Sequence, residues 1–428
     1  MDISAWQALF RTNAGRAEIE FHRRRTAQSE AQQRATWSHV SKLPWTASSD
    51  SNCPLCGVPF AVKDLFPVNH QTTRAGSAFL RKENLQDSAL VSALRDHGAI
   101  PVGTTHLHEF AYGLTGENPH YGRLNHPLCP DRTTGGSSSG SAATVAAGVV
   151  PFALGTDTGG SLRVPAAYCG IYSWRDVPQH LWIKDAFPLA PSFDTAGWLA
   201  SNARDLQALY SLLVTSKQTE IENPRFAFVT ARSLGHQISS EFETSLLDRI
   251  LQLVGPPTGP PSELANRITD STWAYAVLQS SEAFGIHQRF IDAKKNQYGE
   301  VVWQRIDRGR HWTARQLHAA RLYQLGVKAA FSTFFRHHDF VVMPVAPTPA
   351  LKHDDCDQNN RDALLAFNTP VSLAGLPVIT VPVFLQDGLS LGLQFIFPSR
   401  TSSAIPWLLE RCHSHGDLPV NREKRLKT

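Results

Sequence analysis

Residues 134–170, TGGSSSGSAATVAAGVVPFALGTDTGGSLRVPAAYCG, constrain this chain more than any other segment. Two glycine–serine turns, GGSSSG at 135–140 and TDTGGS at 156–161, bracket a run of small and apolar residues. The middle is too apolar for a linker and too patterned for low-complexity filler. The order predicts a glycine-rich turn, a small-residue helix, a strand, a second glycine-rich turn and a second helix. Ala142, Ala143, Ala146, Ala147 and Gly148 carry so little bulk that the first helix is expected to lie against other backbone, deep in the protein. Upstream, VPFAV (58–62) and AIPV (99–102) read as short buried strands on either side of a helical QDSALVSALRD (86–96). This β-α-β rhythm predicts a parallel or mixed sheet covered by helices. Residues 200–335 are helical in pattern, and 340–343, 378–383 and 391–397 are rich in strand formers. Strands near both ends and no clean linker predict an α/β fold. The expectation is a single large α/β/α domain over 1–428 with a mixed central sheet, its strands at about 338–398 completing the same unit.

Composition narrows the function classes. At 428 residues, 42% hydrophobic and 18% charged, the chain can bury a sizeable core, which excludes disorder over most of its length. Lys+Arg exceed Asp+Glu by only 41 to 37, with no basic run, so no nucleic-acid partner is expected. The longest apolar stretch, 142–155, falls short of the roughly 20 residues of a spanning helix, so no membrane partner is expected either. The N-terminus is charged throughout. Trp6, Leu9 and Phe10 fit an amphipathic surface helix, and Glu18 and Glu20 argue against a targeting peptide, so a cytoplasmic location is expected. Cys53 and Cys56 form a CPLC pair with no second Cys/His pair in sight, too little for a redox or zinc site. Cys129, Cys169, Cys356 and Cys412 read as buried thiols.

The two turns can carry chemistry. Consecutive glycines let several N–H groups point into one space, and a serine directly after such a turn can attack a carbonyl whose oxyanion those groups hold. Taken alone, a GGS is more often only a tight turn. Gly136–Gly140 also fits GxSxG, a nucleophile elbow with Ser138 as nucleophile, but the elbow needs a buried strand just before it and the chain offers NHPLCPDRTTG. Lys63 closes the apolar run VPFAV. A lysine at the end of a buried strand loses solvation, its pKa falls toward neutrality, and its amine can then take a proton from a serine. A salt bridge with a nearby carboxylate is the plainer use of such a lysine.

Together, GVPFAVKD (57–64), GGSSSGSA (135–142) and GTDTGGSLRVPAAYCG (155–170) resemble the signature of the amidase signature family, most closely its short members related to plant indole-3-acetamide hydrolases. THLHEFAYGLTGENPHYG (105–122) and PLAPSFDTAGWLA (188–200) extend the resemblance over about 57–200, and a weaker likeness covers 341–398. Ser137 and Ser161 stand 24 residues apart, as the family's two catalytic serines do. The resemblance implies a Ser–Ser–Lys triad: Ser161 as nucleophile, Ser137 as bridge after a cis Gly136–Ser137 peptide, and Lys63 as base. It implies an oxyanion hole from the N–H groups of Thr158, Gly159 and Gly160. It implies hydrolysis of a small apolar or aryl carboxamide through an acyl-enzyme, with no metal or organic cofactor and with homodimers frequent in the family. Asp157 and Arg163 flank the nucleophile turn and are expected to pair and brace it. His106 and His108 form an HxH that could suggest zinc; the match across THLHEF favours a supporting role in the core. Trp174 and Trp182 are candidates for the pocket wall or for plain packing.

After Gly170 the sequence leaves the family pattern. Ser173 and Asp176 stand where Gly and Pro are usual, and Gln179 and Asp185 where Gly is common. A loop over 173–185 poorer in glycine bears on the pocket, not on the triad. Two alternatives follow: the glutaminase component of a tRNA-dependent amidotransferase, and a catalytically weak docking module on the same fold.

Overall fold

The computed structural model describes residues 1–43, 45, 53–214 and 221–415. Its strands in chain order are β1 Trp37–Val40, β2 Pro59–Lys63, β3 Thr72–Thr73, β4 Lys82–Glu83, β5 Ile100–Thr105 and β6 Phe152–Asp157. They continue with β7 Tyr172–Arg175, β8 Thr195–Ala200, β9 Phe226–Phe228, β10 Phe340–Pro344, β11 Val378–Phe384 and β12 Ser390–Ile396. Ten of them form one sheet in the order β1-β5-β2-β6-β8-β7-β11-β12-β10-β9, and β3 and β4 make a separate small hairpin. Pairing is parallel at β2–β5, β2–β6 and β9–β10 and antiparallel elsewhere. The fold is therefore mixed α/β, as the β-α-β rhythm predicts, and the sheet takes strands from both ends of the sequence.

Both faces of this sheet are covered. β2, β6, β8 and β12 are buried at every position. Such strands read as unbroken apolar runs instead of alternating ones, which is why VPFAV stands out in the sequence. Phe60 of β2 stacks on Phe152 of β6 at 5.3 Å between ring centroids. The segment 134–170 folds as predicted: helix Ser139–Ala146, strand β6, a turn, then helix Arg163–Cys169 ending on Gly170. Every residue of the small-residue helix is buried.

Among the described residues of 203–334 helices dominate, with β9 the one strand between them, and helix Ser271–His287 brings Tyr275 and Glu282 toward the centre. At the N-terminus, helix Ile3–Thr12 buries Trp6 and Phe10 while Leu9 stays half-buried. The Ile3 N–H donates to Asp205 at 3.2 Å, tying this helix to the core. Among the described residues, no helix is long and apolar enough to cross a membrane.

Three details differ from the sequence reading. Cys129 and Cys356 are half-buried, not buried. Cys356 follows the short turn His353–Asp355, where its Sγ lies 3.5 Å from the Lys352 carbonyl. The departing segment after Gly170 begins as strand β7, not as a loop, so Ser173 is a buried ladder residue paired with Leu199 and Thr380.

Candidate active site

The carboxyl ends of the parallel strands β2 and β6 lie side by side, the usual place for a site in an open α/β sheet. Lys63 is the last residue of β2 and is fully buried. Its Nζ lies 2.8 Å from Ser137 Oγ, 3.0 Å from Ser138 Oγ, 2.8 Å from Thr156 Oγ1 and 3.4 Å from the Thr156 carbonyl. Burial pushes the Lys63 ammonium down from 10.5 to about 7, against the opposing pull of Asp157 and Asp194. A neutral amine has a lone pair for one hydroxyl proton. Ser138 cannot supply it, because its own hydroxyl donates to the Thr156 carbonyl at 3.2 Å. Ser137 can.

The two glycine–serine turns touch. The Ser138 N–H donates to the Ser161 carbonyl at 3.2 Å, and the His108 N–H donates to the Ser137 carbonyl at 3.2 Å. The Gly136–Ser137 peptide is cis. Ser137 and Ser161 are both buried. No named strand leads into Ser138; the chain arrives through 134–138 as irregular backbone and then a bend. The elbow geometry that GxSxG would need is missing.

Glycine is required at both positions before Ser161. A Cβ on Gly159 would fall 2.3 Å from the Tyr275 hydroxyl, and Gly160 adopts φ +121°, which L side chains rarely reach. Of the three amides expected to face an oxyanion, that of Gly160 is engaged: it donates to Asp157 Oδ1 at 2.9 Å. Among the described residues, the N–H groups of Thr158, Gly159 and Ser161 have no protein acceptor. The open donors are therefore the amides of Thr158, Gly159 and Ser161.

Asp157 is the hub beneath this turn. It is fully buried and accepts from Arg163 Nε at 3.0 Å and Nη2 at 2.9 Å, from Arg175 Nε at 3.2 Å, and from the backbone N–H of Leu162 at 3.0 Å. Burial would raise its carboxyl, yet the two guanidiniums hold it below the usual carboxylate range. Arg163 also donates to the Asn368 carbonyl, Gln394 Oε1 and Ser372 Oγ at 2.9–3.0 Å, so β12 and helix Gln358–Ala374 brace the turn as well. Arg175 donates to the Leu376 carbonyl. The expected Asp157–Arg163 pair thus exists, enlarged by a second arginine from β7.

A cavity of about 430 Å³ opens beside Thr156 and Thr158. Its wall is largely apolar, with Leu65, Ala111, Ile183, Ala186, Phe187 and Leu189, and Gln179, Lys184 and Asp194 also border it. Trp174 and Trp182 do not. Trp174 packs on Trp198 and Tyr210, and Trp182 lies under the Arg400 guanidinium. His106 stacks on Tyr121 at 3.8 Å, and burial pushes its imidazole down to about 3. His108 lies with its ring against Gly113. Among the described residues, no cluster of three His, Cys, Asp or Glu side chains forms around either. Cys53 and Cys56 are buried in a turn beside Gly98, away from this site.

Sequence reasoning missed Arg175, Asp194, Tyr275 and Asn368. Asn368 donates from Nδ2 to the carbonyls of Val345 and Leu364, and its side chain fills the space that a Cβ on Gly160 would need. An arginine inside an otherwise buried YSWR run was the one local signal available.

Known proteins resemble this chain in sequence and in fold. The Amidase family profile matches residues 26–236 and 232–402. Amidase 1 of Arabidopsis thaliana is 44% identical over 400 residues, which cover 85% of this chain and 92% of that protein. The indoleacetamide hydrolase of Pseudomonas syringae pv. syringae is 31% identical over 389 residues, 84% of this chain and 85% of that one. A crystal structure of an amidase, 26% identical, superposes on 96% of this chain and all of its own with a TM-score of 0.82. With nearly its whole described length matched in sequence and in fold, this chain belongs to the amidase family of enzymes.

Proposed function

We propose that this chain, acting as a single domain, hydrolyses the C–N bond of a small apolar or aryl carboxamide through Lys63, Ser137 and Ser161. The observation that carries the reading is the 2.8 Å contact between Ser137 Oγ and a fully buried Lys63 whose amine is near half neutral at pH 7. The apolar wall and the 430 Å³ volume favour a small apolar acyl group, with the two threonines at its reacting end.

The proton count closes. Ser161 Oγ bonds to the carbonyl carbon as its proton passes to Ser137 and the Ser137 proton passes to Lys63. The carbonyl electron pair moves onto oxygen, facing the amides of Thr158, Gly159 and Ser161. Lys63 returns its proton through Ser137 to the nitrogen, the C–N bond breaks, and ammonia or an amine leaves. Water then attacks the Ser161 ester, its proton taking the same route, and the acid departs as Ser161 recovers its hydrogen. No step calls on a metal or an organic cofactor.

The test is hydrolysis of a panel of primary and aryl amides by the wild type, Ser161→Ala and Lys63→Ala. Turnover confined to the wild type is the expected result; a panel that the wild type cleaves no faster than the variants overturns the proposal. A fluorophosphonate adduct mapped to Ser161 supports the assignment of the nucleophile, and an adduct on Ser138 refutes it.

A further inference from the structure

We infer that Asp194 is a positioning residue of this site: its carboxylate fixes Thr158 at the head of the oxyanion turn and supplies one of the two negative charges that face Lys63. This rests on the amide-hydrolysis reading and deepens it.

Asp194 lies just before β8, is 5% exposed and borders the cavity. Its Oδ1 accepts from Thr158 Oγ1 at 2.6 Å. Its Oδ2 accepts from the N–H groups of Leu189 at 2.8 Å and Ala190 at 3.0 Å. One carboxylate therefore clamps the cavity wall to the residue whose amide is the first open oxyanion donor. A short charge-assisted bond of this kind holds a turn more firmly than a neutral one.

The charge has a second effect. Asp157 also faces Lys63, but it is bonded to two guanidiniums. Among the described residues, Asp194 has no cation among its hydrogen-bond partners; they are one hydroxyl and two amides. Its field at Lys63 is the less compensated of the two, so it stabilises the ammonium that forms when the relay takes up a proton. The other titratable groups nearby do not replace it. His108 is held neutral by burial well below its usual range, and Tyr275 and Glu282 of helix Ser271–His287 are pushed up by burial, with Asp194 adding to both shifts. Burial pushes the Asp194 carboxyl itself up, opposed by its three donors and by Lys63.

The experiment measures the rate of fluorophosphonate labelling of Ser161 against pH on the full chain, for the wild type, Asp194→Asn, Thr158→Val and Thr158→Ser. An asparagine can keep all three bonds by turning its oxygen to the two amides and its NH2 to Thr158, so Asp194→Asn removes mainly the charge. The acid limb of its rate profile is expected to move to lower pH by more than ~0.3 unit, because losing a nearby anion lowers a lysine's pKa. Thr158→Val is expected to label ~10-fold more slowly, as for a displaced oxyanion donor, with the limb unmoved, and Thr158→Ser to recover most of the rate. An Asp194→Asn limb at the wild-type position, or full-speed labelling of Thr158→Val, overturns the inference. A second readout needs no labelling: the pH at which stability to urea starts to climb, set by the Lys63 proton, falls in Asp194→Asn if the inference holds and stays put if it does not. A wild type never labelled on Ser161 would sink the amide-hydrolysis reading, while this stability limb still decides Asp194.

Discussion

Replacing Lys63 by methionine turns the buried amine into a measurable quantity. In the folded chain Lys63 gives up its proton near pH 7, and in the unfolded chain near 10.5. Between those values the unfolded state holds the proton and the folded state does not, so stability rises with pH across the window. Below about 7 both states are protonated and the cost of burying the cation is felt in full. The slope is about 1.4 kcal/mol per pH unit for one proton. From pH 7.5 to 9.5 the wild type should therefore gain roughly 2–3 kcal/mol on Lys63→Met, which has nothing to titrate there. For a chain of 428 residues this is about 3 °C in Tm. Apart from Asp194 and His108, which feel the Lys63 charge, the other titrations are common to the two proteins, and the fixed cost of leaving the Ser137, Ser138 and Thr156 hydroxyls without the amine cancels from the change with pH. Urea unfolding followed by tryptophan fluorescence at pH 7.5, 8.5 and 9.5 measures the gap. If it stays constant, Lys63 carries its charge in the folded protein throughout, and a relay that starts from a neutral amine is wrong.

Three further outcomes follow from the same geometry. Ser137→Ala should slow Ser161 labelling by about 10²–10⁴-fold, whereas Ser138→Ala, whose hydrogen is committed to the Thr156 carbonyl, should cost less than ~10-fold; equal losses would mean that the bridge is misassigned. Gly159→Ala places a Cβ 2.3 Å from the Tyr275 hydroxyl, so the turn must shift, and an adduct-forming rate equal to wild type at unchanged stability would contradict the close approach. Asp157→Asn leaves Arg163 and Arg175 buried against a neutral group and should destabilise by about 3–5 kcal/mol. Adding Arg175→Met should restore part of that loss in the same urea assay, and no restoration would mean that the two arginines do not share the carboxylate.

How much of this was legible follows from what each residue depends on. Lys63 could be read because its environment is local: five consecutive apolar residues make a buried strand, and the next side chain inherits the burial. The two serine turns could be read because glycine pairs are themselves conformational statements. Distance in sequence is where reading fails. Asp194 meets Thr158 across 36 residues, and Arg163 meets Gln394 across 231. No periodicity marks such pairs; only the sheet order β6-β8-β7-β11-β12 brings them together. The segment after Gly170 makes the point in reverse. Its loss of Gly and Pro looked like damage to a loop, yet Tyr172–Arg175 is a strand, where glycine would weaken pairing and an added side chain packs. Asp176, in the place of the usual proline, is buried and takes two bonds from Arg400 at 3.0 Å each. Arg175, one residue earlier, is the second guanidinium on Asp157. The stretch furthest from the family pattern therefore holds part of the support for the Thr158–Ser161 turn, so its substitutions bear on the rigidity of the site as well as on the cavity that Gln179 and Lys184 border.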